Sequence, residues 1–354
     1  MIKSKYIRVW AFLLLPITSV ILFSACSSSD DYVPYEQSDL IVKSETSIAP
    51  AGGDATIVVR EEGCKAASNA TWLTAAANGT TITLTAPVND SQQSRNALVT
   101  ITAPSGKTTS INVSQQGLVF VFKASDIYTD DAAFEGNAEL NATNDARVLR
   151  TPDWITTSLN DNQLHYSVAA NTTGKIREGY IVMQSGTALD SMLISQCEAK
   201  DLYGQYTLDG HNPFNDKDIS WAAHIEEGPN DSTLYMWMDR FQWRMELKYD
   251  QATHGVSIAA GQLCGTYSQW YVFLGFYDED TGYMTATDLV TMKGEASINS
   301  ETGKVNIPLA DDGSWSYFTA TTISFLAYKT RNIADQSSLA GTVVAFSNAS
   351  LIEK

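Results

Sequence analysis

Cysteine is scarce in this sequence, and the positions of the cysteines suggest no cross-linked scaffold. Only four of the 354 residues are cysteines, and three of them, Cys64, Cys197 and Cys264, lie far apart along the chain. No CxxC pair occurs, which argues against a disulfide-rich framework and against a cysteine-based zinc site. One long-range disulfide remains open as an alternative, but we expect three buried free thiols.

Basic residues are also in short supply. The chain has 23 lysines and arginines against 40 aspartates and glutamates, which gives a formal net charge of −17. Nucleic-acid binding depends on clustered lysine and arginine that release counterions from phosphates, so we expect no nucleic-acid partner. The acidity is better explained as a source of solubility for an exposed protein than as the mark of a ligand.

Patterns typical of catalysis and metal binding are missing. The four histidines fall in no metal-ligand spacing; they are His165, His211, His224 and His254. No G-x-S-x-G elbow, phosphate loop or dinucleotide fingerprint occurs. The acid clusters at 226–227 and 278–280 have the composition of solvated loops rather than of two carboxylates facing each other across a hydrolytic cleft. We therefore predict no enzyme activity, no metal and no cofactor.

The N-terminus has the pattern of a secretion signal. Three basic residues within the first eight positions precede an apolar run over 9–23, and Ser24-Ala25-Cys26 follows. This arrangement resembles a bacterial lipobox, which implies that the signal peptide 1–25 is removed and that Cys26 becomes a lipidated N-terminus. The alternative is an ordinary secreted protein in which this cysteine occurs by chance.

The residues after Cys26 suggest where the chain is delivered. Segment 26–39 is a short acidic tether, and it resembles the export signal that carries Bacteroidetes lipoproteins to the outer face of the outer membrane. No later segment reaches the roughly 18 consecutive apolar residues that a transmembrane helix needs. We therefore expect a lipid anchor in the outer membrane and a folded part on the extracellular side, at the cell surface.

The rest of the sequence predicts an all-β protein with an internal repeat. Short runs of alternating apolar character recur about every ten residues between clusters of Gly, Asn, Asp and Ser, while helical periodicity is almost absent. Segments 40–117 and 118–198 share an order of landmarks: a Trp before Leu/Ile-Thr, a strand that an Arg opens, and a closing strand that ends in Gln. The residues are Trp72, Arg95 and Gln115 in the first copy, and Trp154, Arg177 and Gln196 in the second.

These landmarks resemble the BACON domain, a module of Bacteroidetes surface proteins. The resemblance implies two tandem immunoglobulin-like β-sandwiches and a carbohydrate-binding role, although the second copy ends in Gln196-Cys197 instead of the usual Gln-x-Gly. Each landmark also has a structural explanation. Trp72 and Trp154 are suited to plugging the open end of a sandwich, the arginines to pinning strand starts through loop carbonyls, and the glutamines to satisfying buried backbone groups.

The C-terminal segment 199–354 is richer in aromatic residues. Hairpin signals with glycine in the turn indicate about eight or nine short strands, which suit one closed antiparallel β-barrel. The Leu202-Tyr203-Gly204-Gln205-Tyr206 opening resembles the Gly-x-Trp start of lipocalin-like barrels, with tyrosine in place of tryptophan.

Alternation along 235–249 predicts the ligand-contacting residues of this barrel. It places Tyr235, Trp237, Phe241 and Trp243 on an inward face, which Asp239 interrupts, so a bend or hairpin at Asp239 stays open. A second aromatic cluster lies over 267–277. Such rings either form a packed core or line a cavity for one small ligand. The candidate ligand-binding residues are Trp221, Trp237, Trp243, Trp270, Tyr271, Trp315 and Asp278, and Asp312 is a further candidate acid beside them.

Three functions are compatible with this sequence. The first is non-catalytic binding of extracellular glycan by exposed aromatic rings, with the sandwiches acting as spacers. The second is a structural or assembly protein that contacts other proteins, including other surface lipoproteins. The third is a lipocalin-like carrier of a small apolar ligand.

Overall fold

The computed structural model describes residues 39–354, and this part of the chain is built from β-strands. Apart from strands, it has two short 3-10 turns, at Ala199–Leu202 and Gln336–Ser338, and no α-helix. The described range accordingly contains no helix long and apolar enough to cross a membrane. The predicted signal peptide, the lipidation site Cys26 and all but the last residue of the tether lie outside it.

Eight strands form a first sandwich. One four-stranded sheet has the order β1-β3-β6-β5 and the other has the order β2-β8-β7-β4. The short strand β2 pairs with β8 in parallel, and the remaining neighbours are antiparallel. The strands are β1 (Ile41–Ser44), β2 (Ser47–Ile48), β3 (Gly53–Val59), β4 (Lys65–Ser68), β5 (Thr74–Asn78), β6 (Thr81–Ala86), β7 (Arg95–Thr102) and β8 (Thr108–Gln115).

A second sandwich repeats the first strand for strand. Its sheets have the orders β9-β11-β14-β13 and β10-β16-β15-β12, and β10 pairs with β16 in parallel as β2 does with β8. The sequence repeat is therefore a repeat of topology. The strands are β9 (Phe120–Lys123), β10 (Ile127–Thr129), β11 (Phe134–Ala142), β12 (Ala146–Arg150), β13 (Ile155–Asn160), β14 (Gln163–Val168), β15 (Arg177–Ser185) and β16 (Ala188–Gln196).

The recurring landmarks of the repeat hold each sandwich together, as their structural explanation predicted. The Arg95 guanidinium lies 4.5 Å from the centre of the Trp72 ring and donates to the Pro87 carbonyl. In the second copy, the Arg177 guanidinium lies 4.2 Å from the Trp154 ring and donates to the Ala169 carbonyl at 2.6 Å. Both tryptophans are half-buried against their cores, so neither ring is a free platform.

The glutamines that close each repeat satisfy buried carbonyl groups. The Gln115 amide donates to the carbonyls of Ala49, Pro50 and Pro87, and its oxygen accepts from Arg95 Nε at 2.8 Å. Gln196 donates to the Ala132 carbonyl in the same way. A buried carbonyl without a donor destabilises the fold, so the glutamines are explained by folding rather than by ligand binding.

The C-terminal part is one fourteen-stranded sheet, which is more strands than the sequence predicted. Its main path is β22-β23-β29-β30-β17-β18-β19-β20-β21-β25-β28. The strands are β17 (Gly204–Asn212), β18 (Lys217–Asn230), β19 (Thr233–Met238), β20 (Trp243–Asp250), β21 (Gly255–Ala259), β22 (Leu263–Tyr267), β23 (Trp270–Tyr277), β24 (Met284–Thr285), β25 (Thr291–Glu295), β26 (Ser297–Ile298), β27 (Val305–Pro308), β28 (Ala310–Asp311), β29 (Thr322–Tyr328) and β30 (Leu339–Glu353).

This sheet curves into an open half-barrel around one hydrophobic core, and not into the closed barrel that the strand count suggested. The segment 305–311 links strands that are far apart along the path, because β27 pairs with β30 and β28 pairs with β25. The core includes Trp243, Phe276, Phe325 and Phe346, all fully buried. The packed-core alternative therefore describes the inside of the half-barrel.

The prediction that Tyr235 and Trp237 face inward was wrong. In β19 the buried residues alternate as Leu234, Met236 and Met238, with Thr233 also buried at its start, whereas β20 buries Trp243 and the alternate residues after it. Met238 pairs with Trp243 across a four-residue turn, and cross-strand partners share one face of the sheet. The inward set therefore changes from even-numbered to odd-numbered residues at the turn, and Tyr235 and Trp237 lie on the outer face.

The turn between β20 and β21 joins the C-terminal part to the second sandwich. The fully buried His254 ring lies 2.9 Å from the Thr129 carbonyl through Nε2 and 2.9 Å from Ser195 Oγ through Nδ1. A carbonyl only accepts, so Nε2 donates to it and Nδ1 accepts from Ser195. Burial lowers the pKa of His254, which favours this neutral form. Tyr249 and Gln251 also donate to the Cys197 carbonyl.

The three described cysteines are buried free thiols, as expected. Burial raises the pKa of Cys197 to about 12 and also raises the pKa values of Cys64 and Cys264. A thiolate is the reactive form of cysteine, so these side chains are inert at neutral pH.

Candidate functional site

The predicted ligand-binding residues are distributed over four environments instead of one site. Trp243 lies in the core with no exposed surface, and its indole N–H donates to the Thr266 carbonyl at 2.9 Å. Its ring stacks on Phe241 and Phe325, with centroids 4.6 and 5.0 Å away. Trp243 therefore offers no ring surface to a ligand, because its neighbours enclose it on all sides.

Trp221 lies beside this core cluster and is half-buried. Its ring packs against Phe241 and Phe346, with centroids 5.3 and 5.5 Å away, and the Arg240 guanidinium lies 5.9 Å from its centre. Trp270 begins β23 opposite Tyr267, whose ring contacts Phe241.

Tyr271 is half-buried against a small separate cluster formed by Phe273, Leu326 and Tyr328. The Arg331 guanidinium lies 5.2 Å from the centre of the Tyr271 ring. Tyr271 therefore has a packing role at the start of β23, next to Trp270 and at the opposite end of the strand from Asp278.

Trp237 lies on the outer face of β18, β19 and β20. Its ring is parallel to that of His224, with centroids 6.2 Å apart, and the Arg244 guanidinium lies 5.8 Å from it on the neighbouring strand. The indole N–H donates to Glu226 at 2.7 Å. Because side chains from both neighbouring strands flank the ring, Trp237 is part of an ordered polar surface rather than an open platform.

Four exposed aromatic side chains lie on loops at one end of the half-barrel. We call them the aromatic rim: Phe214, Tyr283, Trp315 and Tyr317, whose exposed fractions are 59%, 70%, 39% and 86%. Trp315 is the one tryptophan among residues 39–354 whose side chain is exposed. Clustered exposed rings mark a binding surface more often than scattered ones do.

Contacts between three loops bring the rim together. The Phe214 ring lies 6.3 Å from that of Tyr277 at the end of β23. The next residue, Asp278, donates its backbone N–H to the Tyr283 carbonyl at 2.9 Å, and its Oδ2 accepts from the Thr319 N–H at 3.2 Å. Trp315 stacks on Phe318 in the same loop.

Asp278, which the sequence analysis proposed as a ligand contact, supports these loops from beneath. It is 2% exposed, and its Oδ1 accepts from the backbone N–H groups of Asp280 and Thr281. Burial raises its pKa, but the hydrogen bonds from Thr281, Thr319 and Asp280 outweigh burial and lower it overall. Asp278 is therefore an ionised positioning residue that shapes the rim.

The neighbouring acids are held in the same way. Glu279 accepts from Ser347 and Thr322, and both hydrogen bonds lower its pKa. Burial of Asp312 is outweighed by its hydrogen bonds with Thr291 and Ser314, so its pKa is also lowered. Each of these carboxylates is a hydrogen-bond acceptor within the loops and is ionised at neutral pH.

Sequence reasoning identified Trp315 and Asp278 but missed Phe214, Tyr283 and Tyr317. A signal was available for Phe214, because a large apolar residue within the polar stretch His211-Asn212-Pro213-Phe214-Asn215-Asp216 has no alternation to bury it. The other two lie in loops that meet only through the pairing of β23 with β29.

Comparison with known families supports the interpretation of the repeat. Residues 61–116 and 141–196 match the BACON family model, whose description reads "Putative binding domain, N-terminal". Each sandwich carries a BACON domain. Both matched segments lie within the sandwiches, and residues 199–354 lie outside them. No curated protein matches the chain in sequence.

Among solved structures, the chain gives matches to immunoglobulin tandems of titin and to endo-fucoidan hydrolases. The I9–I11 tandem of titin is 9% identical, covers 82% of this chain and 95% of its own, and gives a TM-score of 0.33. An endo-fucoidan hydrolase of glycoside hydrolase family 107 is 10% identical over 70% of this chain and 42% of its own, with a TM-score of 0.21.

Proposed function

We propose that this protein is a cell-surface lipoprotein that captures extracellular carbohydrate without catalysis. The aromatic rim of the half-barrel meets the glycan, and the two BACON domains act as spacers. The observation that supports this best is that four exposed aromatic residues lie on three loops of the half-barrel, which contacts of Tyr277 and Asp278 hold together. Sugar rings stack their C–H groups on such aromatic faces.

The spacer role of the BACON domains rests on how their recurring residues are used. The tryptophan, arginine and glutamine of each copy contact one another or loop carbonyls of the same sandwich. None of these groups is left to contact a glycan without first breaking a contact that supports the fold. A spacer requires a stable fold, and these contacts provide one.

The non-catalytic part of the proposal rests on the carboxylates at the rim. Glycoside hydrolysis needs one carboxylic acid that stays protonated near neutral pH and a second, ionised carboxylate. Asp278, Glu279 and Asp312 all have lowered pKa values, so none of them supplies the proton donor.

The lipid anchor at Cys26 and delivery to the outer membrane are parts of the same proposal. Intact-mass analysis of the mature protein should show a mass that begins at Cys26 and carries added acyl chains. Removal of the thiol by Cys26→Ser should abolish this addition and release the protein from the membrane fraction. A mature protein of unmodified mass would contradict the anchor.

A protein-contact role is the second candidate, because the same exposed rim would also suit a partner protein. A lipocalin-like carrier has less support, since large aromatic side chains fill the core of the half-barrel. Binding to a glycan array by the full chain in mild detergent distinguishes the first two functions.

The rim itself is tested by substitution. Tyr317→Ala combined with Trp315→Ala should abolish binding of neutral glycan, whereas Tyr203→Ala, which removes an exposed aromatic residue outside the rim, should leave it unchanged. Neutral glycan binding that survives the double substitution would contradict the role of the rim. Absence of binding by the folded wild-type protein would favour the protein-contact role.

A further inference from the structure

A cleft lies between the second BACON domain and the outer face of the half-barrel. Its volume is about 630 Å³, and its lining comes from both units. Ligand sites of several hundred Å³ occur preferentially at such domain junctions. The docked turn that contains His254 closes one side of the cleft and fixes the relative position of its walls.

The half-barrel wall of this cleft carries a row of three polar residues. Lys248 on β20, Ser257 on β21 and Lys293 on β25 are directly paired across the strands. Neighbouring strands lie about 4.8 Å apart, so the two lysines lie about 10 Å apart, with the serine between them. Their long side chains are able to converge on one group above Ser257.

These two lysines are unusual because the protein is strongly acidic. Acidic residues outnumber basic residues by 40 to 23, yet neither Lys248 nor Lys293 has a carboxylate oxygen within 4 Å in the range 39–354. Lys248 donates to Thr233 Oγ1, which uses one of its three N–H groups. The Ser257 hydroxyl makes no side-chain hydrogen bond within the described residues.

Three acidic residues also line the cleft, and two of them accept hydrogen bonds from neighbouring groups of the protein. Both oxygens of Asp250 accept from its own turn, at Ala252 and Thr253. Glu178 accepts from the Ile298 N–H at 3.0 Å, and burial raises the pKa of this carboxyl. Glu295 makes no hydrogen bond or ion pair within the described residues. The cleft thus holds three carboxylates and two lysines, and the two lysines are the charged groups that flank Ser257 on the half-barrel wall.

The opposite wall supplies a surface for a ring. Tyr180 on β15 is half-exposed and pairs with Leu193 on β16, so the two side chains lie next to each other on one face of the BACON sheet. Tyr128 continues this wall, and its ring contacts His254 edge-on at 5.3 Å. A ligand in the cleft therefore meets tyrosine on one side and lysine on the other.

We infer that this cleft binds an acidic sugar residue, with its carboxylate or sulfate held between Lys248 and Lys293 over the Ser257 hydroxyl. The sugar ring then lies against Tyr180. This second site is distinct from the aromatic rim, and the carbohydrate nature of its ligand rests on the proposed function. Charge-assisted hydrogen bonds from two ammonium groups give the selectivity for an anion.

The test compares three oligosaccharides of equal length that carry a hydroxymethyl group, a carboxylate or a sulfate ester at the same position. Calorimetric titration of the full chain in mild detergent should show the anionic forms binding about tenfold more tightly than the neutral form, since hydrogen bonds to charged groups are the stronger ones. The stronger of the two anionic ligands identifies the natural group. About 1 M salt should reduce the preference, because it screens exposed charges.

Substitutions then identify the residues that cause the preference for anionic oligosaccharides. The double variant Lys248→Gln and Lys293→Gln should lose it, while Lys65→Gln with Lys329→Gln removes two exposed lysines elsewhere and should retain it. Thermal unfolding of both variants checks that they fold. Tyr180→Ala should weaken binding of the anionic ligands by removing the ring contact.

Each outcome bears on one site. Equal affinity for neutral and anionic ligands, or a preference that survives the loss of Lys248 and Lys293, would overturn the cleft inference. Loss of the anion preference alone, with neutral glycan still bound through Trp315 and Tyr317, would leave the proposed function intact. Absence of any glycan binding by the folded wild-type protein would contradict the proposed function itself.

Discussion

Replacing Gln115 by alanine is the substitution that most directly tests how the repeat stabilises each sandwich. Gln115 is fully buried at the end of β8. Its amide donates at 2.8 Å to the Pro87 carbonyl, at 3.1 Å to Ala49 and at 3.4 Å to Pro50. Its oxygen accepts from Arg95 at 2.8 Å. Alanine removes all four hydrogen bonds and replaces none of them.

The expected loss in the free energy of unfolding follows from these distances. A buried polar group that loses its partner costs about 1–3 kcal/mol, and the two bonds at 2.8 Å contribute most because the others are longer. Arg95 keeps its contacts with Trp72 and Pro87. We therefore expect Gln115→Ala to lower the free energy of unfolding of the first sandwich by about 3–4 kcal/mol, a large share of the about 5–15 kcal/mol typical of a domain.

The assay must resolve one domain among several, because the whole chain need not unfold in one step. Hydrogen exchange with mass spectrometry does this through the amides of β7 and β8, whose protection should fall about a hundred- to a thousandfold, at about 1.4 kcal/mol per tenfold. Protection in the second sandwich should be unchanged. Gln116→Ala is the matched control, because its side chain is exposed and makes no hydrogen bond within the described residues.

A nearly isosteric substitution separates lost donors from lost volume. Gln115→Glu keeps the shape of the side chain and the acceptor for Arg95 but removes both N–H donors. It should destabilise the first sandwich although it creates no cavity. A Gln115→Glu protein as stable as the wild type, or a cost below about 1 kcal/mol for Gln115→Ala, would refute the role assigned to these hydrogen bonds.

Three further predictions concern the half-barrel. Trp243→Ala should lower its free energy of unfolding by about 3–5 kcal/mol, measured by denaturant titration, because the ring is fully buried; an unchanged midpoint would contradict its core position. The stability difference between wild type and Glu279→Gln should be largest above the ordinary glutamate pKa of about 4.3 and shrink at lower pH, because a lowered pKa stabilises the fold only while the carboxylate is ionised. Cys197, whose pKa is about 12, should resist alkylation at pH 8 until denaturant is added, and rapid labelling of the native protein would show that the thiol is accessible.

The architecture of the N-terminal half could be predicted from its sequence because its signals are local and occur twice. Alternation identifies strands without knowledge of their partners. The shared order of Trp, Arg and Gln indicates that both copies pack in the same way. In the first copy, Arg95 contacts both Trp72 and Gln115 within one sandwich. A repeated local pattern is therefore enough to predict a repeated fold.

The half-barrel was less predictable for a reason visible at β19 and β20. The alternation from Tyr235 to Tyr249 suggests one continuous face, but the turn at 239–242 shifts the pattern by one residue. In a strand such a shift moves every side chain to the opposite face. Trp237 was therefore placed inside when it lies outside, although Trp243 was placed inside correctly.

The sequence by itself determined that the described chain is all-β, that it contains two related sandwiches, and that its aromatic residues are concentrated in the last 150 or so positions. Tertiary structure alone decided which of those aromatic residues meet solvent and which line the junction cleft. The pairing of β23 with β29 carries Asp278 to the loop that holds Trp315, and the docking of His254 sets Tyr180 opposite Lys293. Strand pairing over long sequence separations creates these neighbours, and local patterns of polarity do not indicate which strands will pair.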